Sequence, residues 1–183
     1  LTEIASPILD SIYRLNVKES YVKQGKPFIF DSFEEEKERL DKLFKNSGIY
    51  RFNASTIGYY SDSLDEPKNK KVVLKIPERI VSEGDSVFIK PYKIQKYNKV
   101  NVYVDFGKNA DKSQAKDSAF LANVGYFSPN KLQYKPHRLD DAFFLYPDSI
   151  FRTDDINITL SHLQKLQNFR PAFAVSIKEN EDE

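Results

Sequence analysis

The residues that could carry chemistry in this sequence are few. His137 and His162 are the two histidines, and neither has a partner at a metal-ligand spacing, although Asp140 and Asp141 follow His137 closely. Zinc sites in proteins need three or four nitrogen, sulfur or carboxylate ligands in a recognisable pattern. We therefore interpret both histidines as surface residues and expect no metal site.

The glycines and the missing cysteines restrict the remaining chemistry. None of the six glycines belongs to a phosphate-binding loop, a dinucleotide fingerprint or the turn that presents a nucleophilic serine. Because the chain has no cysteine, disulfides, thiolate metal sites and a cysteine nucleophile are excluded. We expect no catalytic residue and no cofactor, and hence a protein that is not an enzyme.

Two clusters of polar side chains have structural explanations. Glu34, Glu35 and Glu36 would suit acid–base catalysis or cation binding, but they fall in the first turn of a predicted helix, where the positive end of the helix dipole favours carboxylates. Tyr59 and Tyr60 could form an aromatic ligand platform, but tyrosines in strands usually pack or line a surface. We take the structural interpretation for both clusters.

The composition favours one or two small domains. The 183 residues include 28 basic and 27 acidic side chains, so there is no electrostatic footprint for nucleic acid and no basic stripe for an anionic membrane. The 11 tyrosines and 14 phenylalanines favour sheet. No apolar run approaches the roughly 18 residues of a membrane-spanning helix. Because the sequence contains no methionine, we interpret it as a mature or excised fragment.

The strongest helix signal lies within residues 25–52. Asp31 or Ser32 is expected at the N-cap, and Gly48 is expected to end the helix in a left-handed conformation. The apolar residues of this helix share one stripe, which predicts a buried face. They are Phe33, Leu40, Leu43 and Phe44.

Strands and a second helix surround this element. A shorter helix is expected after Pro7. Alternation predicts a strand over residues 49–60 and another over residues 72–76, which Pro77 ends. Residues 78–90 are interpreted as an interdomain connector.

The second half of the chain repeats the pattern of the first. A strand is expected over residues 92–104, then a mobile loop over residues 105–118 and one or two return strands with a turn at Asn130. A short helix is predicted over residues 138–146. A long helix capped by Thr153 follows, and then a strand over residues 169–177.

Both halves contain an extended lead-in, an acidic helix start, an amphipathic helix, an aromatic residue and a strand, and such repetition indicates an array of small modules. The two stretches are GKPFIFDSFEEEKERLDKLFKNSGIYRF and LQYKPHRLDDAFFLYPDSIFRTDDINITLSHLQKLQNF. They resemble POTRA modules, the periplasmic repeats of the BamA and TamA family of outer-membrane barrel proteins. Pro136, ahead of the short helix, and Thr159, in the long helix, are similar to features of the module that directly precedes the barrel in lipoprotein-type TamA relatives.

The resemblance implies an α+β fold of tandem modules, each with two helices packed on a three-stranded mixed sheet in the order strand, helix, helix, strand, strand. Residues 1–80 would form the first module, with its opening strand expected before Leu1. Residues 91–183 would form the second, with an elaborated first hairpin and without its final strand. The implied location is the periplasm, with attachment to the outer membrane through parts of the chain outside this sequence.

The functional feature that the resemblance implies is the exposed edge of the strand after the main helix, where another chain can add as a strand. The residues expected at this partner-binding edge are Ile49, Tyr50, Arg51, Phe52, Asn53, Ala54, Ser55, Thr56 and Ile57. The implied partners are unfolded segments of outer-membrane proteins or a periplasmic protein. The alternatives are a module of a dedicated secretion pore that recognises one exported protein, or a small soluble ligand-binding domain or hydrolase.

Overall fold

The computed structural model describes residues 1–61, 71–107, 110–133 and 135–165 and contains helices packed on small mixed sheets. This confirms the predicted α+β class. The chain divides into two units, of which the first comprises Leu1–Gln95 with Ile150–Arg152 and the second comprises Lys96–Ser149 with the helix that follows Arg152. These boundaries differ from the predicted division at residues 80 and 91, because residues 91–95 and 150–152 belong with the first unit.

The first unit has a three-stranded mixed sheet. Its elements in chain order are β1 (Thr2–Ile4), α1 (Pro7–Leu15), α2 (Phe30–Asn46), β2 (Gly58–Ser61) and β3 (Val72–Ile76). The strand order across the sheet is β1-β3-β2, with β3 in the centre. β1 pairs with β3 in parallel and β2 pairs with β3 antiparallel. Strand β3 is therefore the pairing partner of both outer strands.

The opening strand of this unit lies within the sequence, contrary to the expectation that it precedes Leu1. Thr2 pairs with Leu74 and Ile4 pairs with Ile76. Strand β1 has three residues, which is too few for alternation to reveal it, and its partner lies some seventy residues further along the chain. Its pairing is extended at its C-terminal end, where the Ala5 N–H donates to the Ile76 carbonyl at 2.9 Å.

Helix α2 confirms the predicted stripe but not the predicted cap. Phe33, Leu40 and Phe44 are buried, and Leu43 packs against the same core. The N-cap is Ile29 rather than Asp31 or Ser32, and no side chain caps the helix. The helix begins at Phe30, two residues before the start that a cap at Asp31 would give. Asp31 therefore lies in the first turn, where its charge still suits the helix dipole.

The end of α2 is the predicted glycine stop. Gly48 has φ +94°, and the N–H of Ile49 donates to the Phe44 carbonyl at 3.0 Å while the Gly48 N–H donates to the Lys45 carbonyl at 3.3 Å. This pair of bonds is the Schellman arrangement, which satisfies carbonyls that a helix end leaves without partners. Ile49 and Phe44 are both buried in the core that this turn closes.

The core of the first unit lies between the two helices and the sheet. Its buried members are Leu9, Leu40, Phe44, Ile49, Phe52, Ile57, Leu74, Ile76 and Tyr92. Tyr92 was expected in a strand of the second module, but its ring lies 5.8 Å from that of Phe52.

Residues 78–90 form a hairpin and not a connector. Strand β4 (Arg79–Glu83) pairs antiparallel with β5 (Ser86–Lys90), and the two-residue turn between them contains Gly84 at φ +60°. A two-residue turn with glycine first is a strong hairpin signal. The charged residues around Gly84 suggested a linker, and this signal was overlooked.

The second unit contains another three-stranded mixed sheet. Its strands are β6 (Asn101–Tyr103), β7 (Asp117–Leu121) and β8 (Val124–Ser128), in the order β6-β8-β7. β7 and β8 form the expected hairpin, but the turn is at Ala122 and Asn123, which have φ of +47° and +63°, and not at Asn130. Positive φ at both positions suits the twist of a two-residue hairpin.

Two helices cover this sheet. Helix α3 (His137–Asp140) is shorter than predicted. Helix α4 (Thr153–Lys165) begins at Thr153, which was expected to cap it and is its first helical residue. The core they enclose contains Val100, Val124, Tyr126, Leu139, Ala142, Phe143, Leu145 and Leu163. The predicted strand over residues 169–177, and any strand missing after it, lie outside the described residues.

Candidate functional site

The residues predicted to form the binding edge do not form a strand. Residues 49–57 consist of tight turns and a single 3₁₀ turn, Ala54–Thr56. Ile49, Phe52 and Ile57 point into the core. Their backbone groups are used locally, since the Phe52 N–H donates to the Ile49 carbonyl and the Ile57 N–H donates to the Ala54 carbonyl. The prediction of a strand over this stretch was therefore wrong.

Asn53 explains why the chain turns here. Its side-chain oxygen accepts the Ser55 N–H at 2.9 Å, and its carbonyl accepts the Thr56 N–H at 3.0 Å. Asparagine favours such turns because its side chain can replace a backbone acceptor. The remaining predicted residues, Tyr50, Arg51 and Ala54, lie on the same turns, so none of the nine is on a sheet edge.

The edge is provided by the four residues that follow. Strand β2 is the outermost strand of its sheet, and among the described residues no strand pairs with its second side. In an antiparallel pair, alternate residues direct their N–H and C=O groups away from the partner strand. Every second residue of β2 therefore offers its backbone groups at the outer edge of the sheet. The side chain of Tyr60 is 60% exposed and its ring lies over Gly58, where an added Cβ would be 2.7 Å from the ring.

An aromatic patch lies beside this edge, and we define it as Phe28, Ile29, Phe30, Phe33 and Tyr59. The Phe33 ring is 4.9 Å from that of Tyr59 and 4.7 Å from that of Phe28. The row of rings thus leads from β2 across α2 to the segment before that helix. Phe28, Ile29 and Phe30 are each more than half exposed. Phe33 itself is buried at 7% exposed, so the exposed apolar surface of the patch is formed mainly by Phe28, Ile29 and Phe30. Exposed apolar surface of this kind is typical of an interaction site.

A buried carboxylate lies beneath the patch. Glu36 is 1% exposed and accepts hydrogen bonds from both the Nε and the Nη2 of Arg39, at 2.8 and 2.7 Å. The hydrogen bond to Glu36 raises the pKa of Arg39. The three glutamates were expected in the first turn of the helix, but α2 begins at Phe30 and the acidic residue of its first turn is Asp31. Glu36 lies further along the helix, where its i, i+3 partner allows it to be buried as an ion pair.

The hydroxyl of Tyr59 is buried near this pair without a hydrogen-bond partner among the described residues. Burial, with a contribution from the Glu36 charge, raises the pKa of Tyr59. The same two causes raise the pKa of Tyr13, while Arg39 acts in the opposite direction. Both phenols therefore stay neutral at physiological pH and present apolar ring surface and not an acid or base.

The two histidines do not form a site with other candidate ligands in the part of the chain that the structure describes. His137 is exposed, and His162 packs edge-on against Phe144 with 5.3 Å between ring centroids. Within the described ranges, no three histidine or carboxylate side chains are placed to hold a metal ion. The described helices also include none with the length and apolar character of a membrane span.

Neither a scan against models of known protein families nor a search of curated proteins found a match to this chain. The edge of β2 and the aromatic patch are therefore the features of this chain that bear on its function. The expected strand over residues 49–60 overlaps β2 only at its end. The patch was not predicted, because Phe28 and Phe30 were interpreted as an extended lead-in to the helix. The run of four residues Pro27–Phe30, with three large apolar side chains ahead of an acidic helix start, was the available signal.

Proposed function

We propose that this chain is a periplasmic part of an outer-membrane protein assembly or translocation factor and that it is not an enzyme. In this proposal the first unit is a POTRA-type module. The order strand, helix, helix, strand, strand supports it, as does a sheet whose first strand is parallel to the central one and whose second strand is antiparallel at the edge. Attachment to the membrane would be through parts of the chain outside this sequence.

The observation that carries the proposed activity is the outer edge of β2 next to the aromatic patch. An extended peptide that added to β2 would gain backbone hydrogen bonds irrespective of its sequence. Its alternate side chains would point toward the side of the sheet where Tyr59 and Phe33 lie. Affinity then comes from the backbone, and a preference for apolar side chains at every second position comes from the patch.

This preference matches unfolded segments of outer-membrane proteins. The strands of such barrels alternate apolar and polar residues over about ten positions. A segment of this type could place one apolar side chain after another on the patch and leave its polar side chains toward solvent. Continuous apolar peptides and fully polar peptides would each lose one half of this complementarity.

Site-specific photo-crosslinking of the 183-residue chain tests the proposal. A photoreactive residue replaces Tyr60 on β2 or Phe30 in the patch, and the matched control replaces Glu38, which is exposed on α2. The probe is a ten-residue peptide of alternating apolar and polar residues, compared with a peptide of the same composition in blocks. We expect crosslinks from positions 60 and 30 to the alternating peptide and none from position 38.

Equal crosslinking at all three positions, or equal capture of both peptides, would show non-specific adhesion and overturn the proposal. A panel of peptides from different barrels separates a general assembly factor from a dedicated secretion pore. The general factor binds most of the panel, whereas the pore module binds none of it and binds only its own exported protein.

A further inference from the structure

The hairpin of β4 and β5 exposes several large apolar side chains. All five residues of β5 are exposed, and its central Val87, Phe88 and Ile89 have exposed fractions of 67, 47 and 70%. Ile80, the cross-strand partner of Ile89, is also exposed. Within the part of the chain that the structure describes, these two strands pair only with each other.

Two strands alone are only marginally stable in water, and a third strand or a packed face is needed to secure them. On β4 the side chains of Arg79 and Val81 are half-buried, whereas all five residues of β5 are exposed. The edge of β5 is therefore the side on which a further strand would add. Valine, phenylalanine and isoleucine in succession also favour strand pairing.

The register of the hairpin determines which backbone groups β5 offers. Glu83 pairs with Ser86 across the two-residue turn, and such a closing pair is hydrogen-bonded. Hydrogen-bonded and non-hydrogen-bonded pairs alternate along an antiparallel ladder. The backbone groups of Ser86, Phe88 and Lys90 consequently face β4. Those of Val87 and Ile89 face outward.

We propose that β5 pairs antiparallel with β5 of a second copy of this chain, about a two-fold axis that passes beside Phe88. This register sets Val87 opposite the partner's Ile89, so the two outward-facing residues exchange both of their hydrogen bonds. The symmetry repeats the exchange, which makes four hydrogen bonds between the copies. A single segment that satisfies itself in this way forms a closed dimer.

The side chains of β5 suit this partner. Val87, Ile89 and Ile80 lie on one face of the hairpin, and the dimer would join both sets into one aliphatic surface on a four-stranded sheet. The charges are also complementary. Lys90 at the base of one hairpin would lie next to Asp85 in the turn of the other.

Single cysteines test the register, because the chain has no cysteine of its own. In the proposed dimer Phe88 lies opposite Phe88 of the second copy in a non-hydrogen-bonded pair. Their Cα atoms would be about 4.5 Å apart, a separation that a disulfide can bridge. Val87 lies opposite Ile89 of the second copy. Val87 of the second copy is only a diagonal neighbour, at about 7–8 Å, which is too far for a disulfide between the two Val87 positions.

We therefore expect Phe88→Cys to form a disulfide-linked dimer under mild oxidation. Val87→Cys and Ile89→Cys should remain monomeric in separate reactions and crosslink when the two variants are mixed. Crosslinking of Val87→Cys alone as readily as Phe88→Cys would overturn the register and indicate random association.

Sedimentation of the uncrosslinked chain provides the second test. Ile89→Pro removes an outward N–H without removing a hydrogen bond from the hairpin, whereas Ile89→Ala removes only apolar surface. We expect the proline variant to dimerise about 30-fold more weakly than the alanine variant, since each dimer loses two hydrogen bonds. Equal association of the two variants, with unchanged circular dichroism, would contradict pairing through this edge. The proposal would also fail if the unsubstituted chain stayed monomeric at about 100 times the concentration used for crosslinking.

Discussion

The carboxylate of Glu36 lies 2.9 Å from the backbone nitrogen of Tyr21 and accepts its hydrogen bond. The two residues are fifteen positions apart, and Tyr21 belongs to the segment that follows α1. Because Arg39 holds the same carboxylate through two further hydrogen bonds, one buried group fixes both the helix and the chain that leads to it. The segment between α1 and α2 that contains Tyr21 also carries Phe28 and Ile29 of the aromatic patch.

Replacing Glu36 by alanine should destabilise the first unit. The substitution leaves the guanidinium of Arg39, which is 13% exposed, without its buried partner, and also leaves the Tyr21 N–H unpaired. We expect a loss of about 3 kcal/mol in the free energy of unfolding, measured by urea denaturation. Glu35→Ala is the matched control, since Glu35 is exposed on the same helix, and it should change stability by less than about 0.5 kcal/mol. Similar losses in both variants would contradict the buried role.

Replacing Tyr59 by phenylalanine should stabilise the chain by about 1 kcal/mol at neutral pH, because it removes a buried hydroxyl without a partner. A loss of stability would show that the hydroxyl is hydrogen-bonded in solution.

The same variant should alter the response to alkali. An unfolded tyrosine ionises near pH 10, and the raised pKa of Tyr59 keeps the folded form protonated beyond that pH. The unfolded chain thus binds fewer protons above about pH 10, and the free energy of unfolding falls as pH rises. In Tyr59→Phe the fall should be shallower, though still present, because Tyr13 and Tyr92 have raised pKa values as well. Unfolding curves at pH 8 to 11 measure it.

Replacing Gly48 by alanine should cost about 3 kcal/mol. The residue would take a positive φ, and its Cβ would lie 2.7 Å from a methyl carbon of Ile94 and 2.9 Å from one of Ile150. Gly25 is the control, because its φ is +76° and no atom lies within 4 Å of an added Cβ. Gly25→Ala should cost only the backbone strain of about 1 kcal/mol. Equal costs at the two positions would show that the contacts relax freely.

Replacing Thr159 by valine should weaken the second unit. The Thr159 hydroxyl is buried and accepts the backbone N–H of Phe144 at 3.0 Å. Valine has the same shape but leaves that N–H without its acceptor, so we expect a loss of about 2 kcal/mol and faster hydrogen exchange at the Phe144 amide. Thr159→Ser keeps the acceptor and should retain slow exchange. Fast exchange in the serine variant would assign the effect to packing.

The sequence predicted the features that depend on neighbouring residues. The stripe of α2 and the stop at Gly48 follow from spacing and from one glycine, and both are confirmed. Features whose partners are distant were missed. Strand β1 exists because Thr2 meets Leu74, and no local pattern reports that pairing.

The candidate site was predicted in part for a related reason. The strand was predicted from the alternation of Tyr50, Phe52 and Ala54, but this stretch forms turns from which Ile49, Phe52 and Ile57 reach the core. The alternation continues into Gly58–Ser61, where the strand is, so the predicted stretch reached the edge but began too early. The burial of Glu36 could not be predicted from its place in a run of three identical residues. Its i, i+3 partner Arg39 and its tertiary contact with Tyr21 distinguish it from Glu35.

The first unit is discontinuous along the chain, and this imposes an order on its completion. The carbonyl of Gly48 accepts the N–H of Gln95, and the carbonyl of Gln95 accepts the N–H of Phe151, each at 2.9 Å. A chain synthesised from its N-terminus acquires the last of these partners only after all of Lys96–Ser149 has been made. The seam beside the end of α2 therefore closes late in synthesis, and a product that stops before Phe151 would carry the first unit with that seam open.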